Sequence, residues 1–437
     1  MSASGQPATM PAPTSLWRDG PFLRLWGGQS LSQFGDRISE LALPLIAVTL
    51  LHASTAEVAA VTALVWAPNL LAILLGAWVD QQRRKRRLMV LADLVRALAL
   101  ATLPVAYLFG AVTLGHLYAV AVVTGAAGVL FNTSYAPFFA RLVPRRSYID
   151  ANSKLGASRS ISHVAGPAIG GALVQLLTAP IAVLADAVTF LLSAFLIGRI
   201  RVAEEPAAAP DGSTEPPMLT RARQGLRLVV SHPILRASLA CCTTVNFFSF
   251  VAYGLTVLFA SRVLELSAGA IGLAFGVGAT GGLLGAVLAP RISQRLGVGP
   301  TIATGVVLYA APIAVIAAAG GPFWVRVGAL AAAEFVSGFG IMLFDINLNS
   351  LQTSVIPDDM RSRVSGAFST VNYGIRPLGA LAGGLLGTVA GMRPSLLIAA
   401  AGGTLSVLWL LTSPIVRIRS LDAAEPGRGP TPGPAGR

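Results

Sequence analysis

The stretch GAWVDQQRRKRRL, from Gly76 to Leu88, decides the fold of this chain. A long apolar run ends at Asp80, basic residues occupy every position from 83 to 87, and the chain then turns apolar again at once. A basic turn between two apolar runs is typical of a short loop joining two membrane-spanning helices on the side where positive charge is retained. The stretch therefore predicts an integral membrane protein whose helices turn at this loop.

The composition favours lipid as the solvent for most of the chain. Of 437 residues, 54% are hydrophobic and 12% are charged, whereas an ordinary soluble domain has about 25% charged residues. The net charge of +13 lies in short blocks between apolar runs, so we expect no nucleic-acid partner. Cys241 and Cys242 are adjacent inside an apolar run, and the sequence has no phosphate-binding loop. We therefore expect no metal, disulfide or cofactor.

Twelve apolar runs lie between two tails rich in Pro and small residues. Each run is close to the ~20 residues that cross the hydrocarbon core as a helix. Their approximate ranges are 22–51, 55–80, 87–110, 115–141, 152–178, 180–199, 236–262, 267–291, 298–320, 324–354, 364–390 and 394–417. We number these predicted spans 1 to 12. The expected fold class is an all-α membrane protein with twelve transmembrane helices.

Arginine and lysine predict the orientation of the spans. Basic residues occur in the connections on one side of the membrane, at 83–87, 141–146, 199–236, 291–295 and 361–363, and both termini lie on that side. The opposite connections hold only Arg262, Arg326 and Arg393. Because basic loops are retained in the cytoplasm, we expect a multi-pass plasma-membrane protein with both termini cytoplasmic. The ratio of 30 arginines to 2 lysines also favours a GC-rich bacterial source.

The spans fall into two groups of six with related sequences. Leu130–Phe131–Asn132 reappears as Leu343–Phe344–Asp345, and Gly170–Gly171 as Gly383–Gly384, at one offset of 213 residues (345 − 132 and 383 − 170). Repeats of six spans with a site at their interface are an architecture of transporters. The predicted organisation is a disordered tail at 1–20, a six-helix bundle at 21–201, a cytoplasmic linker with a basic amphipathic segment at 202–235, a second six-helix bundle at 236–419 and a disordered tail at 420–437.

These features resemble the major facilitator superfamily of transporters over nearly all of residues 16–419. The loop motif is similar to the one between helices 2 and 3 of that superfamily at Gly76, Asp80, Arg84, Lys85 and Leu88, with departures at Gln81 and Arg83. The stretches LWGGQSLSQFGDRISELALPL, VAGPAIGGAL and RPLGALAGG resemble its efflux branch of macrolide and siderophore exporters, similar to transmembrane secretion effectors. The resemblance implies alternating access around a central cavity that is lined by spans 1, 4, 7 and 10.

Span 1 carries a polar stripe. Gln29, Gln33, Asp36 and Glu40 are spaced i, i+4, i+7 and i+11, which puts them on one face of a helix. A charge at mid-membrane costs roughly 2.5–3.5 kcal/mol on insertion, so this face should border a water-filled cavity. We expect Asp36 and Glu40 to bind the coupling proton, and Gln29 and Gln33 to contact the cargo. Arg37 is expected to be the counter-charge of both acids; the alternative is a static Arg37–Glu40 pair that locks the helix.

Spans 10, 4 and 7 supply the other cavity candidates. Glu334, Asp345 and Asn349 share one face of span 10, together with Gly338 and Gln352. We expect Glu334 and Asp345 to take part in proton coupling; the alternative for Asp345 is an ion pair with a loop arginine. The remaining cargo contacts are expected from Asn132, which is the repeat mate of Asp345, and from Asn246, Phe250 and Tyr253 on one face of span 7. For span 7 the alternative is ordinary core packing.

The remaining polar and small residues are predicted to gate the cavity or to pack its helices. By resemblance, a cytoplasmic gate is expected from the loop motif and from two residues of span 3: Gly76, Asp80, Arg84, Lys85, Asp93 and Arg96. Small residues are expected to bring span 5 close to its neighbours: Gly166, Pro167, Gly170 and Gly171. Asp186 of span 6 is expected to make a contact that packs helices.

These residues predict a secondary transporter that exports a small amphipathic organic molecule in exchange for protons. The expected partners are the cargo, protons and membrane lipids, and we expect the chain to act as a monomer. Two alternatives stay open, a lipid or lysolipid flippase of the same fold and a non-transporting membrane receptor. An embedded enzyme is disfavoured because the sequence shows no nucleophile–base or metal constellation. Span 4 lacks the arginine that many drug–proton antiporters of the superfamily carry, and Arg37 is the candidate for that role.

Overall fold

The computed structural model describes residues 16–144, 147–201, 218–357 and 360–420. These residues are almost entirely helical and include no β-strand, which confirms the all-α fold class. Of the two predicted disordered tails, residues 1–15 and 421–437 lie outside the described residues, as does the first part of the predicted linker, 202–217. Leu16–Arg18, at the end of the first predicted tail, form a 3-10 turn.

The first six spans are present with bounds close to the prediction. Span 1 is the α-helix Gly20–Leu45, continued by a π-helical turn at Ile46–Leu50. Span 2 begins at a capping box made by Ser54 and Glu57, and consists of Thr55–Trp66, the 3-10 segment Ala67–Leu71 and Ala72–Gln81. Spans 3 to 6 are Lys85–Leu108, Leu114–Leu142, Tyr148–Leu177 and Ala179–Gly198.

The last six spans follow an amphipathic helix, Met218–Ser231, which we call the linker helix. Spans 7 and 8 are Pro233–Arg262 and Ala268–Leu296. Span 9 is divided into Val298–Ala310 and Ile313–Ala318, because Pro312 interrupts the helix between them. Spans 10 and 11 are Phe323–Val355 and Arg361–Val389, and span 12 comprises Met392–Leu405 and Val407–Leu411.

Nine of the helices in the described ranges are long and apolar enough to cross a membrane on that basis alone. The three that fall short are spans 1, 2 and 11. Span 1 carries the polar stripe, span 2 is broken by its 3-10 segment, and span 11 has Arg376 at mid-length. Spans that are polar inside a bundle of apolar helices are expected where the bundle encloses water.

The hydrophobic core is continuous at one end of the bundle and divided at the other. We call the end that holds the 82–84 loop and the linker helix the linker side, and the opposite end the hairpin side. One core cluster on the hairpin side joins residues of both halves of the sequence, from Leu41 to Val61 and from Val251 to Ala274. On the linker side each half has a core of its own, one around Phe138 and the other around Phe344. Among the described residues, the two halves therefore share a hydrophobic core towards the hairpin side and have separate cores towards the linker side.

Close backbone contact between spans 5 and 8 seals the hairpin side. A Cβ atom added to Gly171 would lie 2.8 Å from the Cα of Gly272 and 2.6 Å from the carbonyl oxygen of Ala268. On the same span but near the linker side, a Cβ added to Gly156 would meet no atom within 4 Å. A hydrogen bond from Arg262 Nη2 to the carbonyl of Ala53, 2.6 Å long, also crosses between the halves on the hairpin side. This conformation is closed at the hairpin side.

The linker helix packs on the linker-side end of span 11. A Cβ added to Gly225 would lie 2.3 Å from the carbonyl oxygen of Arg363, and Arg363 Nη1 donates to Gln224 Oε1 at 3.0 Å. Val229 is fully buried, whereas Leu226 and Val230 are exposed. The predicted amphipathic segment is thus a helix with one face on the protein. Its contact with the inner leaflet stays a prediction.

Candidate functional site

A cavity of about 510 Å³ lies between the two halves of the sequence. Spans 1 and 5 form its wall in the first half, and spans 7, 8, 9 and 10 form the rest. Its polar and charged lining residues are Arg37, Glu40, Arg159, Ser160, His163, Ser249, Tyr253, Thr256, Tyr309, Glu334 and Ser337. Most of the remaining lining is aliphatic or aromatic, so the cavity is suited to an organic molecule with a polar part.

A second cavity of about 290 Å³ lies within the first half, among spans 1, 2, 3, 4 and 6. Asp36, Arg96, Asn132 and Asp186 are among its lining residues. Arg37, Glu40 and Tyr253 line both cavities. These three side chains therefore lie between the two spaces.

Two ion pairs neutralise the acids of span 1. Arg37 Nη1 lies 2.6 Å from Glu40 Oε2, and Arg96 Nη2 of span 3 lies 2.6 Å from Asp36 Oδ1. Arg37 was expected to be the counter-charge of both acids; it forms an ion pair with Glu40, whereas Asp36 forms its ion pair with Arg96. Residues i and i+1 of a helix point about 100° apart whereas i and i+3 share a face, so Arg37 reaches Glu40 and Asp36 needs a partner from another span. Arg96 is held in place by the Phe190 ring, 4.0 Å from its Cζ.

Replacing Arg96 by glutamine is expected to destabilise the protein. The substitution leaves the half-buried Asp36 carboxylate without a charged partner, at a cost of about 2 kcal/mol in the free energy of unfolding. Thermal unfolding of the purified protein should show the lower Tm. The double variant Arg96→Gln/Asp36→Asn is the matched control and should recover most of the loss, because it removes both charges. An equal Tm loss in the single and double variants would show that the pair does not carry the effect.

Glu334 of span 10 lines the larger cavity together with Glu40. It makes no hydrogen bond or ion pair with any other residue that the structure describes, although it is half-buried. Span 8 approaches it closely, since a Cβ added to Gly278 would lie 2.7 Å from the Glu334 Cβ. A lone carboxylate in a cavity of this kind can take up and release a proton without breaking a pair.

The other predicted cavity residues are distributed unevenly. Asn132 lines the smaller cavity, and Tyr253 lines both. The Oε1 atoms of Gln29 and Gln33 are buried and lack a hydrogen-bond partner among the described residues. Six candidates line neither cavity, namely Gln29, Gln33, Asn246, Phe250, Asp345 and Asn349. The amide of Asn246 donates to the Cys242 carbonyl of its own helix at 2.9 Å, which is a local structural bond.

The described residues of the predicted gate make several different contacts. Lys85 Nζ donates to the Val79 carbonyl, and Arg84 is the residue before span 3. Asp93 is fully buried, and its carboxylate oxygens have no hydrogen-bond partner among the described residues. Arg96 lies in the smaller cavity with Asp36, as described above. The side chain of Asp80 lies outside what the structure describes, so the gate role of Gly76, Asp80, Arg84 and Lys85 stays a prediction.

The small residues of span 5 contact spans 1 and 8. A Cβ added to Gly166 would lie 2.5 Å from the Arg37 Cβ, and one added to Gly170 would lie 3.2 Å from the Ile38 Cα. A Cβ added to Gly272 would lie 2.5 Å from the Pro167 carbonyl oxygen. Gly166 thus fixes the position of Arg37. Asp186 accepts a hydrogen bond from Ser39 Oγ, which joins spans 6 and 1 as a packing contact.

Sequence reasoning missed four residues of this region. Arg159 and His163 of span 5 and Tyr309 of span 9 line the larger cavity. Arg376 of span 11 lies among the rings of Trp66, Phe250 and Tyr373. The repeat offset of 213 residues relates two of them, His163 and Arg376 (376 − 213 = 163), and this relation could have indicated that the two occupy equivalent positions.

Comparisons with known proteins agree with this architecture. The sequence profile of the Major Facilitator Superfamily matches residues 25–380 and 239–434. The multidrug efflux pump Tap of Mycolicibacterium fortuitum is 28% identical over 425 residues, covering 93% of this chain and 98% of the relative. A bacterial homologue of the iron transporter ferroportin in an inward-facing state superposes with a TM-score of 0.70 at 20% identity, covering 91% of this chain and 99% of that one. The nucleoside transporter NupG superposes with a TM-score of 0.67 at 14% identity, covering 90% and 98%. The chain therefore belongs to the Major Facilitator Superfamily of transporters.

Proposed function

We propose that this chain exports a small amphipathic organic molecule by alternating access, in exchange for protons. The observation that carries the proposal is the larger cavity, whose lining holds both the Arg37–Glu40 pair and Glu334, a carboxylate with no hydrogen bond or ion pair among the described residues. The cavity lies between two halves whose described residues share a hydrophobic core towards the hairpin side and have separate cores towards the linker side. Similarity to a multidrug efflux pump supports export of drug-like molecules.

The direction of export follows from the proposed orientation. If the basic connections lie in the cytoplasm, the linker side is the inner side and this conformation is closed to the outside. The cavity is then in position to receive cargo from the cytoplasm or the inner leaflet. Rocking of the predicted bundles, 21–201 and 236–419, would open it outward. Because one chain provides the complete cavity, a monomer is sufficient.

Proton coupling requires that the proton and the cargo favour different states or compete for one site. Glu334 is the first candidate because no described cation neutralises it. Glu40 is the second, since loss of its charge would free Arg37 and change the wall that separates the two cavities. Proton binding then changes the charge that the cargo meets, and this difference in affinity drives the cycle.

The test is uptake of ethidium and erythromycin into inverted membrane vesicles with an imposed ΔpH, acidic inside. Vesicles that contain the chain should accumulate at least one of these probes, and nigericin should abolish the accumulation by collapsing ΔpH. Vesicles from cells that lack the chain are the control. The double variant Asp36→Asn/Glu40→Gln is expected to lose ΔpH dependence. Undiminished coupling in that variant would exclude these two acids as the coupling site.

A further inference from the structure

Arg376 lies at mid-length in span 11, inside a cage of aromatic rings from both halves of the sequence. Its Cζ is 4.4 Å from the ring centroid of Trp66, 4.4 Å from that of Tyr373 and 5.0 Å from that of Phe250. Trp66 and Tyr373 are nearly parallel, with centroids 6.2 Å apart, so spans 2 and 11 meet through these rings. Such a cage stabilises a cation that has lost much of its water.

No carboxylate contacts this guanidinium within the described ranges. Arg376 makes no ion pair there, and its buried Nε has no hydrogen-bond partner. Asp345 and Glu40 interact with it only through space. Arg37 and Arg96, by contrast, each contact a carboxylate at 2.6 Å. A buried guanidinium left in this way has donors available for an incoming anion.

The cage contacts the lining of both cavities, because Trp66 lines the smaller one and Phe250 stacks on Tyr253, which lines both, with ring centroids 5.5 Å apart. Tyr253 and Tyr309, which line the larger cavity, lie close enough to Arg376 to interact with its charge. Trp66 is shared by the cage and the smaller cavity. The repeat mate of Arg376, His163, lines the larger cavity directly.

From these contacts we infer that Arg376 and its cage form a subsite for an anionic group, a carboxylate or sulfonate, carried on a flat apolar part of the cargo. The planar guanidinium matches such a group with paired N–H donors, and the rings stack on the flat part. This inference rests on the proposed export function and names the class of cargo that it handles. Neither Glu334 nor the span 1 acids can supply this contact.

The test measures by calorimetry how tightly three probes of similar shape bind the purified full-length chain in micelles of a neutral detergent. The probes are 2-naphthoate, 2-naphthol and (2-naphthyl)trimethylammonium. We expect the wild type to prefer 2-naphthoate. Arg376→Gln should weaken 2-naphthoate binding by about tenfold or more, the scale of a lost charge-assisted hydrogen bond, and change 2-naphthol binding by less than about twofold. The 2-naphthoate affinity of Arg376→Lys should lie between those of the wild type and Arg376→Gln, because lysine keeps the charge but lacks the planar guanidinium.

Arg393→Gln is the matched control. Arg393 also lies over a ring, with its Cζ 5.4 Å from the Phe259 centroid, but its guanidinium donates to the Ala317 and Ala319 carbonyls at 3.0 and 3.1 Å. Its loss should leave 2-naphthoate affinity unchanged. Preference of the wild type for the ammonium probe would overturn the subsite. Unchanged 2-naphthoate affinity in Arg376→Gln would also overturn it, and Arg376→Lys takes the place of that variant if Arg376→Gln does not fold.

Vesicle uptake measured in parallel separates this inference from the proposed function. ΔpH-driven ethidium or erythromycin accumulation together with loss of 2-naphthoate binding in Arg376→Gln supports both. Accumulation without any preference for 2-naphthoate refutes the subsite alone. Absence of ΔpH-driven accumulation of either probe refutes the proposed function, while the calorimetry still decides whether Arg376 binds an anion.

Discussion

The variant Glu334→Gln is expected to uncouple cargo movement from the proton gradient. Uphill accumulation in inverted vesicles should fall by about tenfold or more, the scale of a typical coupling free energy, whereas downhill equilibration of the same probe persists. The physical reason is that Glu334 is a carboxylate without a partner in the larger cavity, so its charge changes with each proton taken up. Glutamine keeps the size and the hydrogen-bonding capacity of the side chain but removes the titration. The measurement is probe accumulation with and without ΔpH, at equal protein content.

Glu265→Gln is the matched control for this prediction. Glu265 is also a glutamate of the second half, but its side chain is 78% exposed, and its contact with Arg326 is 3.7 Å long. It should keep full uphill transport. Loss of both uphill and downhill movement in Glu334→Gln would indicate that the residue binds cargo or stabilises the fold, and full coupling would assign the proton to another acid.

Hydropathy and charge predicted the spans well because both are properties of continuous segments. The basic block at 83–87 marks the turn between spans 2 and 3, and the structure has helices on both sides of it. The break in span 2 at Ala67–Leu71 was not predicted. Pro68 could have suggested it, but proline is tolerated in many membrane helices when neighbouring groups satisfy the backbone. Whether it breaks a helix depends on tertiary contacts.

The site was predicted where its residues share a helix and missed where they do not. The i, i+3 spacing of Arg37 and Glu40 gave that ion pair, which the structure contains. The partner of Asp36 is Arg96, 60 residues away, and helical periodicity carries no information on such a contact. Arg376 was missed because only spans 1, 4, 7 and 10 were expected to line the cavity. Spans 5, 8 and 9 also line it, and Arg376 of span 11 interacts with Tyr253 and Tyr309 of that lining.

The variant Gly171→Ala is expected to shift the chain away from the conformation closed at the hairpin side. The added Cβ would lie 2.6 Å from the Ala268 carbonyl oxygen and 2.8 Å from the Gly272 Cα, and both are backbone atoms that cannot rotate away. Overpacking of this kind costs about 1–3 kcal/mol, and each 1.4 kcal/mol changes the population ratio about tenfold. The state that separates spans 5 and 8 at this end does not bear that cost. Spin labels at Gly156→Cys and Gln294→Cys, on the linker-side ends of the same two spans, should report a shorter distance as that side closes.

The native cysteines are replaced by serine for this measurement, and Gly269→Ala is the matched control. A Cβ on Gly269 would lie in the same interface but at an ordinary 3.6 Å from Gln175. The distance distribution between the two spin labels in Gly269→Ala should therefore equal that of the labelled protein without this substitution. Two conformations that differ by a few kcal/mol respond to one methyl group only if that methyl opposes one of them. An unchanged distribution in Gly171→Ala would mean that the contact between spans 5 and 8 persists in both states. In that case the halves would have to rock about this contact, and the opening at the hairpin side would have to arise between spans 2 and 11.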